Sequence, residues 1–134
     1  MRLLIDTNIY LEVLLGQAKS AEAQSLLAAV EGREFYISDF SLHSIGVFLF
    51  RRNQHDILKE FLADMIGLTG TIVISLDVSD MELIIESARS FRLDFDDAYQ
   101  YALAEKHDLI IVSFDSDFDR TKRGRKSPAE VIGT

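Results

Sequence analysis

Three short segments of the chain carry carboxylates whose type and spacing could do chemistry. Asp6 ends the apolar run Leu3–Ile5, the segment Leu93–Ala98 contains three aspartates, and Ser113–Phe118 contains two more. A helix start favours negative charge by about 0.3–1 kcal/mol per acid, but helix capping accounts for only one or two of the three in the second segment. Clustered carboxylates bind Mg²⁺ or Mn²⁺, so these segments predict a site for a divalent cation.

Asp97 is the acid whose position indicates burial. It lies one turn inside its predicted helix, on the face that carries Tyr101 and Ala104, and therefore points toward the packed side. A buried carboxylate needs a partner, which a metal ion would supply. Asp115 and Asp117 form an Asp-x-Asp pair that on its own is more often a turn than a pair of ligands.

The hydrophobic pattern predicts four strands separated by helices. The predicted strands are Arg2–Ile5, Phe35–Ile37, Thr71–Ser75 and Leu109–Val112. The predicted helices are Thr7 to Leu15, Ser20 to Val30, Ser38 or Asp39 to Arg52, Asp56 to Gly67, Ser79 to Phe91 and Asp94 to His107. This order implies right-handed crossovers and a parallel sheet covered on both faces. We therefore expect a three-layer α/β/α fold with a central parallel sheet, as a single domain over residues 1–134.

Polar residues follow three of the four predicted strands. The strands run into Asp6, into Ser38-Asp39 and into Ser113–Asp115. Because ligands of such sheets bind just beyond the carboxyl ends of the strands, we expect these residues to share one site.

Composition restricts the ligands and the location. The chain has no cysteine, which excludes disulfides, thiolate metal sites and cysteine nucleophiles, so any metal must bind oxygen or imidazole. No apolar stretch approaches the roughly eighteen residues of a membrane span. We predict a cytoplasmic protein without a membrane partner.

The net charge of −8 argues against a nucleic-acid partner, but its distribution qualifies that argument. Five of the 14 basic residues lie in the segment Arg120–Lys126. This segment is either a basic edge that contacts phosphates or a solvated tail. The candidate phosphate-binding residues are Arg120, Lys122, Arg123 and Lys126.

Taken together, the acidic segments resemble the PIN-domain family, in particular its small toxin-like nucleases of the VapC type. The matching stretches are Ile5–Asn8, Leu93–Ala98 with the following Ala102 and Ala104, and Val112–Phe118, which occur in the family's order and span almost the whole chain. The resemblance implies a ribonuclease that hydrolyses RNA phosphodiester bonds with Mg²⁺ or Mn²⁺. It also implies an antitoxin protein as partner and a homodimer.

The resemblance further assigns roles to residues. It implies that Asp6, Asp97 and Asp115 are catalytic metal ligands. The supporting residues are Asn8, Asp94, Ser113 and Asp117.

One position departs from the family pattern. The family usually has a glutamate early in the helix after the second strand, and His43 is expected at that place here. Its imidazole either faces the cleft or packs in the interior against Phe40 and Val47. The run Val47–Phe50 covers more than one helical face, for which core packing is favoured over a subunit interface.

Other nucleotide-linked α/β protein classes fit the sequence less well than a nuclease. The chain has no glycine-rich phosphate loop after its first strand, and Asn8 stands where a haloacid-dehalogenase phosphatase would need a second aspartate. A catalytically silent PIN fold that binds RNA or a protein partner remains the competing hypothesis, because His43 would remove one charge from the site.

Overall fold

Four parallel strands form the central sheet, in the order β3-β2-β1-β4. The structure is a computed structural model that describes residues 1–133. Its strands are β1 (Arg2–Ile5), β2 (Glu34–Ser38), β3 (Ile72–Ile74) and β4 (Ile110–Val112). Strand β1 is central, with Leu3 opposite both Phe35 and Ile110. The carboxyl ends of β1, β2 and β4 therefore reach the same edge of the sheet.

Helices cover both faces of this sheet. They are α1 (Thr7–Leu15), α2 (Ser20–Ala28), α3 (Asp39–Arg51), α4 (His55–Leu62), α5 (Met81–Phe91), α6 (Phe95–His107) and α7 (Pro128–Ile132). Successive side chains of a strand point to opposite faces. Leu3 and Ile5 accordingly join the core formed with α1 to α4 and α7, whereas Leu4 joins the core formed with α5 and α6. The predicted three-layer α/β/α fold is confirmed.

Several predicted boundaries differ from the structure. The helix predicted to end at Val30 ends at Ala28, and the helix predicted over Asp56–Gly67 is α4 followed by a π-helical turn, Ala63–Leu68. A 3-10 turn, Val78–Asp80, precedes α5. Helix α7 was not predicted, although Pro128 at its first position follows Ser127, whose hydroxyl accepts a hydrogen bond from the Glu130 amide.

The segment that contains the basic cluster is fastened to the edge of the sheet. The Lys126 amide donates to the Ile111 carbonyl oxygen, and the Ser113 amide donates to the Lys126 carbonyl oxygen. Val131 of α7 is fully buried in the core beside α2. The interpretation of this segment as a solvated tail is therefore wrong.

Among residues 1–133, no helix is long and apolar enough to cross a membrane.

Candidate active site

An acidic pocket of about 230 Å³ opens at the carboxyl edge of the sheet. Asp6 reaches it from the end of β1, Asp97 and Gln100 from α6, Ser44 from α3, and Asp115 from the loop after β4. The three aspartates implied as metal ligands are thus brought to one pocket from segments far apart in the chain.

Three carboxylates form a compact group, of which Asp97 and Asp115 line the pocket and Asp117 does not. One oxygen each of Asp97, Asp115 and Asp117 lies within 4.8 Å of the others. Asp117 was expected only as a supporting residue. It also forms an ion pair of 3.0 Å with Arg120, so a bound cation would compete with that guanidinium for its carboxylate.

Asp6 lines the same pocket, but it is held by hydrogen bonds from the protein. Its Oδ1 accepts from the Thr7 amide at 2.8 Å and from Gln100 Nε2 at 3.0 Å. Its Oδ2 accepts from the Ser113 hydroxyl at 2.6 Å. Asp6, with an extended backbone, is also the N-cap of α1.

Ser113 connects the start of α1 to the loop that carries Asp115. Besides donating to Asp6, its hydroxyl oxygen accepts from Asn8 Nδ2 at 3.1 Å and from the Asp115 amide at 2.9 Å. Asn8 Oδ1 accepts from the Phe114 amide at 3.2 Å. The two supporting residues therefore fix Asp6 and Asp115 relative to each other.

Asp94 has a local role at the start of α6. It caps the helix, with its Oδ1 accepting from the Asp97 amide at 3.0 Å. Its side chain is not part of the pocket lining. Asp94 thus orients the backbone from which Asp97 projects.

Gln100 is a residue of the site that sequence reasoning missed. It is 2% exposed, and its Nε2 donates to Asp6 and, at 2.7 Å, to the Ser41 hydroxyl. Its Oε1 is buried and has no hydrogen-bond partner within residues 1–133. The sequence offers one hint, because Gln100 lies three residues after Asp97 on a helix face predicted to be packed.

Mutual repulsion and burial perturb the acids. Burial raises the pKa of Asp97 to about 8, with further contributions from a hydrogen bond shared with Asp115 and from the charges of Asp115 and Asp6. Burial also raises the pKa of Asp6, against which the hydrogen bonds from Ser113, Gln100 and Thr7 act. Without a cation, the pocket therefore retains a proton on Asp97 near neutral pH.

His43 lies outside the acidic pocket. It is exposed on α3 and lines neighbouring grooves, whereas Ser44 lines the pocket. Ser44 lies about one helical turn after Ser41, whose hydroxyl accepts a hydrogen bond from Gln100. His43 is rotated from Ser44 by about 100° around the helix and so points away from the pocket. Both alternatives for His43, in the cleft and in the interior, are wrong. The residue that α3 presents to the acids is a serine.

The arginines of the basic segment are bound to the protein itself. Arg123 pairs with Glu105 at 2.6 Å and with Asp108 at 3.1 Å, and Arg125 pairs with Asp119 at 3.1 Å. Arg125 also donates to the Ser113 carbonyl oxygen. Arg120 donates to carbonyl oxygens of the turn after α5 besides pairing with Asp117.

The predicted basic edge is correspondingly smaller than expected. Among residues 1–133, the side chains of Lys122 and Lys126 take part in no ion pair. They are the members of the basic segment whose charge is available to phosphates.

Fold and pocket together define an α/β protein with an all-carboxylate site suited to a hard divalent cation. The chain belongs to the PIN domain family, whose model matches residues 3–124. A search of curated protein sequences returns no significant match.

Solved structures share the fold at low sequence identity. A toxin–antitoxin complex from Klebsiella pneumoniae contains a chain with a TM-score of 0.75 and 22% identity, over 94% of this chain and 97% of that one. FitAcB from Neisseria gonorrhoeae gives 0.73 and 20%, over 95% and 98%. VapC20 of Mycobacterium tuberculosis, a sarcin-ricin loop cleaving toxin, gives 0.71 and 21%, over 87% and 92%.

We predict that Asp97→Asn stabilises the metal-free protein at alkaline pH. The folded-state pKa of about 8 lies above the ordinary value of 3.8, so the contribution of Asp97 to stability is complete below the ordinary value and is lost as the pH rises through the folded-state value. In EDTA, the melting temperature of the wild type should fall between about pH 4 and about pH 8 and level off above that range, and that of the variant should fall less.

The difference in unfolding free energy has an upper bound of about 6 kcal/mol. Asp56→Asn, an exposed acid on α4, is the control and should follow the wild type. Parallel pH profiles for the wild type and Asp97→Asn would contradict the assignment of the raised pKa to Asp97.

The two kinds of basic residue should respond differently to neutralisation. Arg123→Ala removes two ion pairs and a hydrogen bond to the Leu109 carbonyl oxygen, so it should lower the unfolding free energy by about 1–2 kcal/mol. Lys126→Ala should leave stability within about 0.5 kcal/mol and reduce the salt dependence of RNA binding by about one counterion. Urea denaturation and binding at several salt concentrations measure the two effects. An unchanged salt slope for Lys126→Ala would exclude a phosphate contact.

Proposed function

We propose that this chain is a divalent-metal-dependent endoribonuclease that hydrolyses RNA phosphodiester bonds. The observation that carries the proposal is the compact group of Asp97, Asp115 and Asp117, because Asp97 and Asp115 line a pocket together with Asp6. Membership of the PIN domain family supports a nuclease, and the similar sarcin-ricin loop cleaving toxin supports RNA as substrate.

The donor set fits Mg²⁺ or Mn²⁺. Asp97, Asp115 and Asp117 offer only oxygen ligands, which these ions prefer. The raised pKa of Asp97 shows that its negative charge is not balanced by the protein, and a bound cation would balance it. These three residues would hold the ion. A divalent ion bound there would neutralise charge on the scissile phosphate and favour deprotonation of the attacking water.

The chain's own residues keep the acids in place for this reaction. Gln100 and Ser113 hold both oxygens of Asp6, and Asp94 fixes the helix turn from which Asp97 projects. Asp97 must lose its proton before it can act as a ligand. Activity should therefore rise with pH, because a cation competes with that proton.

We extend the proposal to a toxin of a toxin–antitoxin pair, with an antitoxin protein as partner and a homodimeric assembly. Toxin–antitoxin complexes among the similar structures support the antitoxin. Val47 and Phe50 are about half exposed, which supports a protein contact on α3 rather than the core packing favoured from the sequence.

A catalytically silent PIN fold is the second candidate function. It is favoured by Ser44, because this position on α3 adds a neutral hydroxyl to the pocket rather than a further carboxylate. A weaker cation site could leave an RNA-binding or partner-binding module.

The decisive experiment is cleavage of single-stranded and structured RNA by the purified protein with EDTA, Mg²⁺ or Mn²⁺. We expect cleavage with the divalent ions and none with EDTA. Asp97→Asn and Asp115→Asn should each reduce the rate by at least about 100-fold, since loss of a ligand should exceed the effect of losing a supporting contact. Asp56→Asn should retain activity. Binding of RNA without cleavage under every condition would support the silent fold.

Ser44→Glu should strengthen activation by Mg²⁺, whereas His43→Glu should not. Even at a dielectric constant near that of water, about 80, one added carboxylate about 4 Å from a divalent ion is worth about 2 kcal/mol, so the affinity should rise by at least about tenfold. Because His43 is exposed outside the pocket, its replacement is the matched control. The Mg²⁺ concentration that gives half-maximal cleavage measures the effect. An equal shift in both variants would exclude a direct effect of position 44.

A further inference from the structure

A cluster of aromatic rings borders the acidic pocket. The ring centroids of Phe40, Phe95 and Tyr99 lie 5.7 to 6.1 Å from one another, and we call these three residues the aromatic shelf. Phe40 lines the acidic pocket and also a second groove of about 500 Å³, which Tyr99 and His43 line as well. The shelf therefore joins the two spaces.

Phe95 presents the most accessible ring of the shelf. Its surface is 48% exposed, although it is the first residue of α6 and lies between the cap Asp94 and the pocket residue Asp96. A single exposed apolar residue is common on protein surfaces. Here the exposed ring is continuous with a wall of the acidic pocket, so it offers a flat apolar surface beside the carboxylates.

The shelf is held rigidly from below. The Tyr99 hydroxyl donates to Asp39 Oδ1 at 2.6 Å and accepts from the Leu76 amide at 2.9 Å. Tyr99 is 8% exposed, so its ring forms the buried base against which the other two rings pack. A rigid aromatic surface loses little conformational entropy when it binds a flat partner.

Charge favours a nucleobase as that partner. The second groove is lined by the Asp39 carboxylate, which can accept hydrogen bonds from exocyclic amino groups of a base. The phosphate of the same nucleotide would lie toward the acidic pocket, where a cation offsets the negative charges. Aromatic side chains bind unpaired bases by stacking, whereas bases within a duplex are already stacked.

We infer that the aromatic shelf is a subsite for an unpaired nucleobase next to the scissile phosphate, with Phe95 as the stacking residue. The inference rests on the proposed ribonuclease activity and adds Phe95 to it as a residue that positions the substrate. Because stacking tolerates any base, the subsite selects unpaired structure rather than sequence.

The test combines a protein variant with an abasic substrate. The bond cleaved in a single-stranded octaribonucleotide with Mn²⁺ is first mapped, and the base on each side of it is then removed in turn. Phe95→Leu should lower kcat/KM on the intact octamer by about tenfold. On one of the two abasic octamers, wild type and Phe95→Leu should be equal, because the base that stacks is gone.

Two further variants separate stacking from a purely structural role. Phe95→Tyr retains an aromatic ring and should remain within about twofold of the wild type. Ile85→Ala is the control, since Ile85 on α5 is 49% exposed, like Phe95, but belongs neither to the shelf nor to the lining of the acidic pocket or the second groove. Its kcat/KM should equal that of the wild type, and the Mn²⁺ dependence of Phe95→Leu should be unchanged.

Each adverse outcome identifies which proposal fails. An equal loss for Phe95→Leu on intact and both abasic octamers would overturn the subsite, as would no loss at all. Unchanged RNA kinetics with weakened self-association of Phe95→Leu in sedimentation would overturn it in favour of a protein contact. If the wild type cleaves no RNA, the ribonuclease proposal fails and the subsite with it.

Discussion

The structure depends on keeping several carboxylates together in a partly buried pocket. Asp6 and Asp97 are each 7% exposed, and their charges repel each other and that of Asp115. Hydrogen bonds from Ser113, Gln100 and the Thr7 amide offset part of this cost at Asp6. Among the described residues, the Asp97 carboxylate has no such set of hydrogen-bond donors. Asp97 therefore retains a proton, which avoids the free-energy cost of a buried charge. The carboxylates that would bind a cation thus repel one another when no cation is bound.

The surrounding fold brings these carboxylates together and holds them in place. Parallel strands bring their carboxyl ends to one edge, and the central position of β1 places Asp6 between the elements that supply the other acids. The arginines after β4 form hydrogen bonds and ion pairs that hold the loop after this strand in place, so their charges are not free in solvent. Arg125, for example, ties the Ser113 carbonyl oxygen to Asp119.

Local patterns sufficed to predict the sheet, most helices and the gathering of Asp6, Asp97 and Asp115, because strand ends and helix starts are local features. They did not suffice for Gln100, whose role depends on Asp6, 94 residues away. The placement of His43 failed for a geometric reason: an error of one residue on a helix rotates a side chain by about 100°. Arg123 forms its ion pairs with Glu105 and Asp108, at the end of α6. The number of basic residues in a segment does not reveal whether acids elsewhere in the chain already pair with them.

The bond between Ser113 and Asp6 joins residues 107 positions apart, and β1 pairs with β4 over a similar separation. Contacts of such long range form late and slowly, because a large loop must close before they are made. During synthesis, the central strand therefore leaves the ribosome long before its second neighbour exists. A nascent or prematurely terminated chain that lacks β4 has Asp6 but cannot assemble the pocket, so any activity is delayed until β4 and the loop after it have been synthesised.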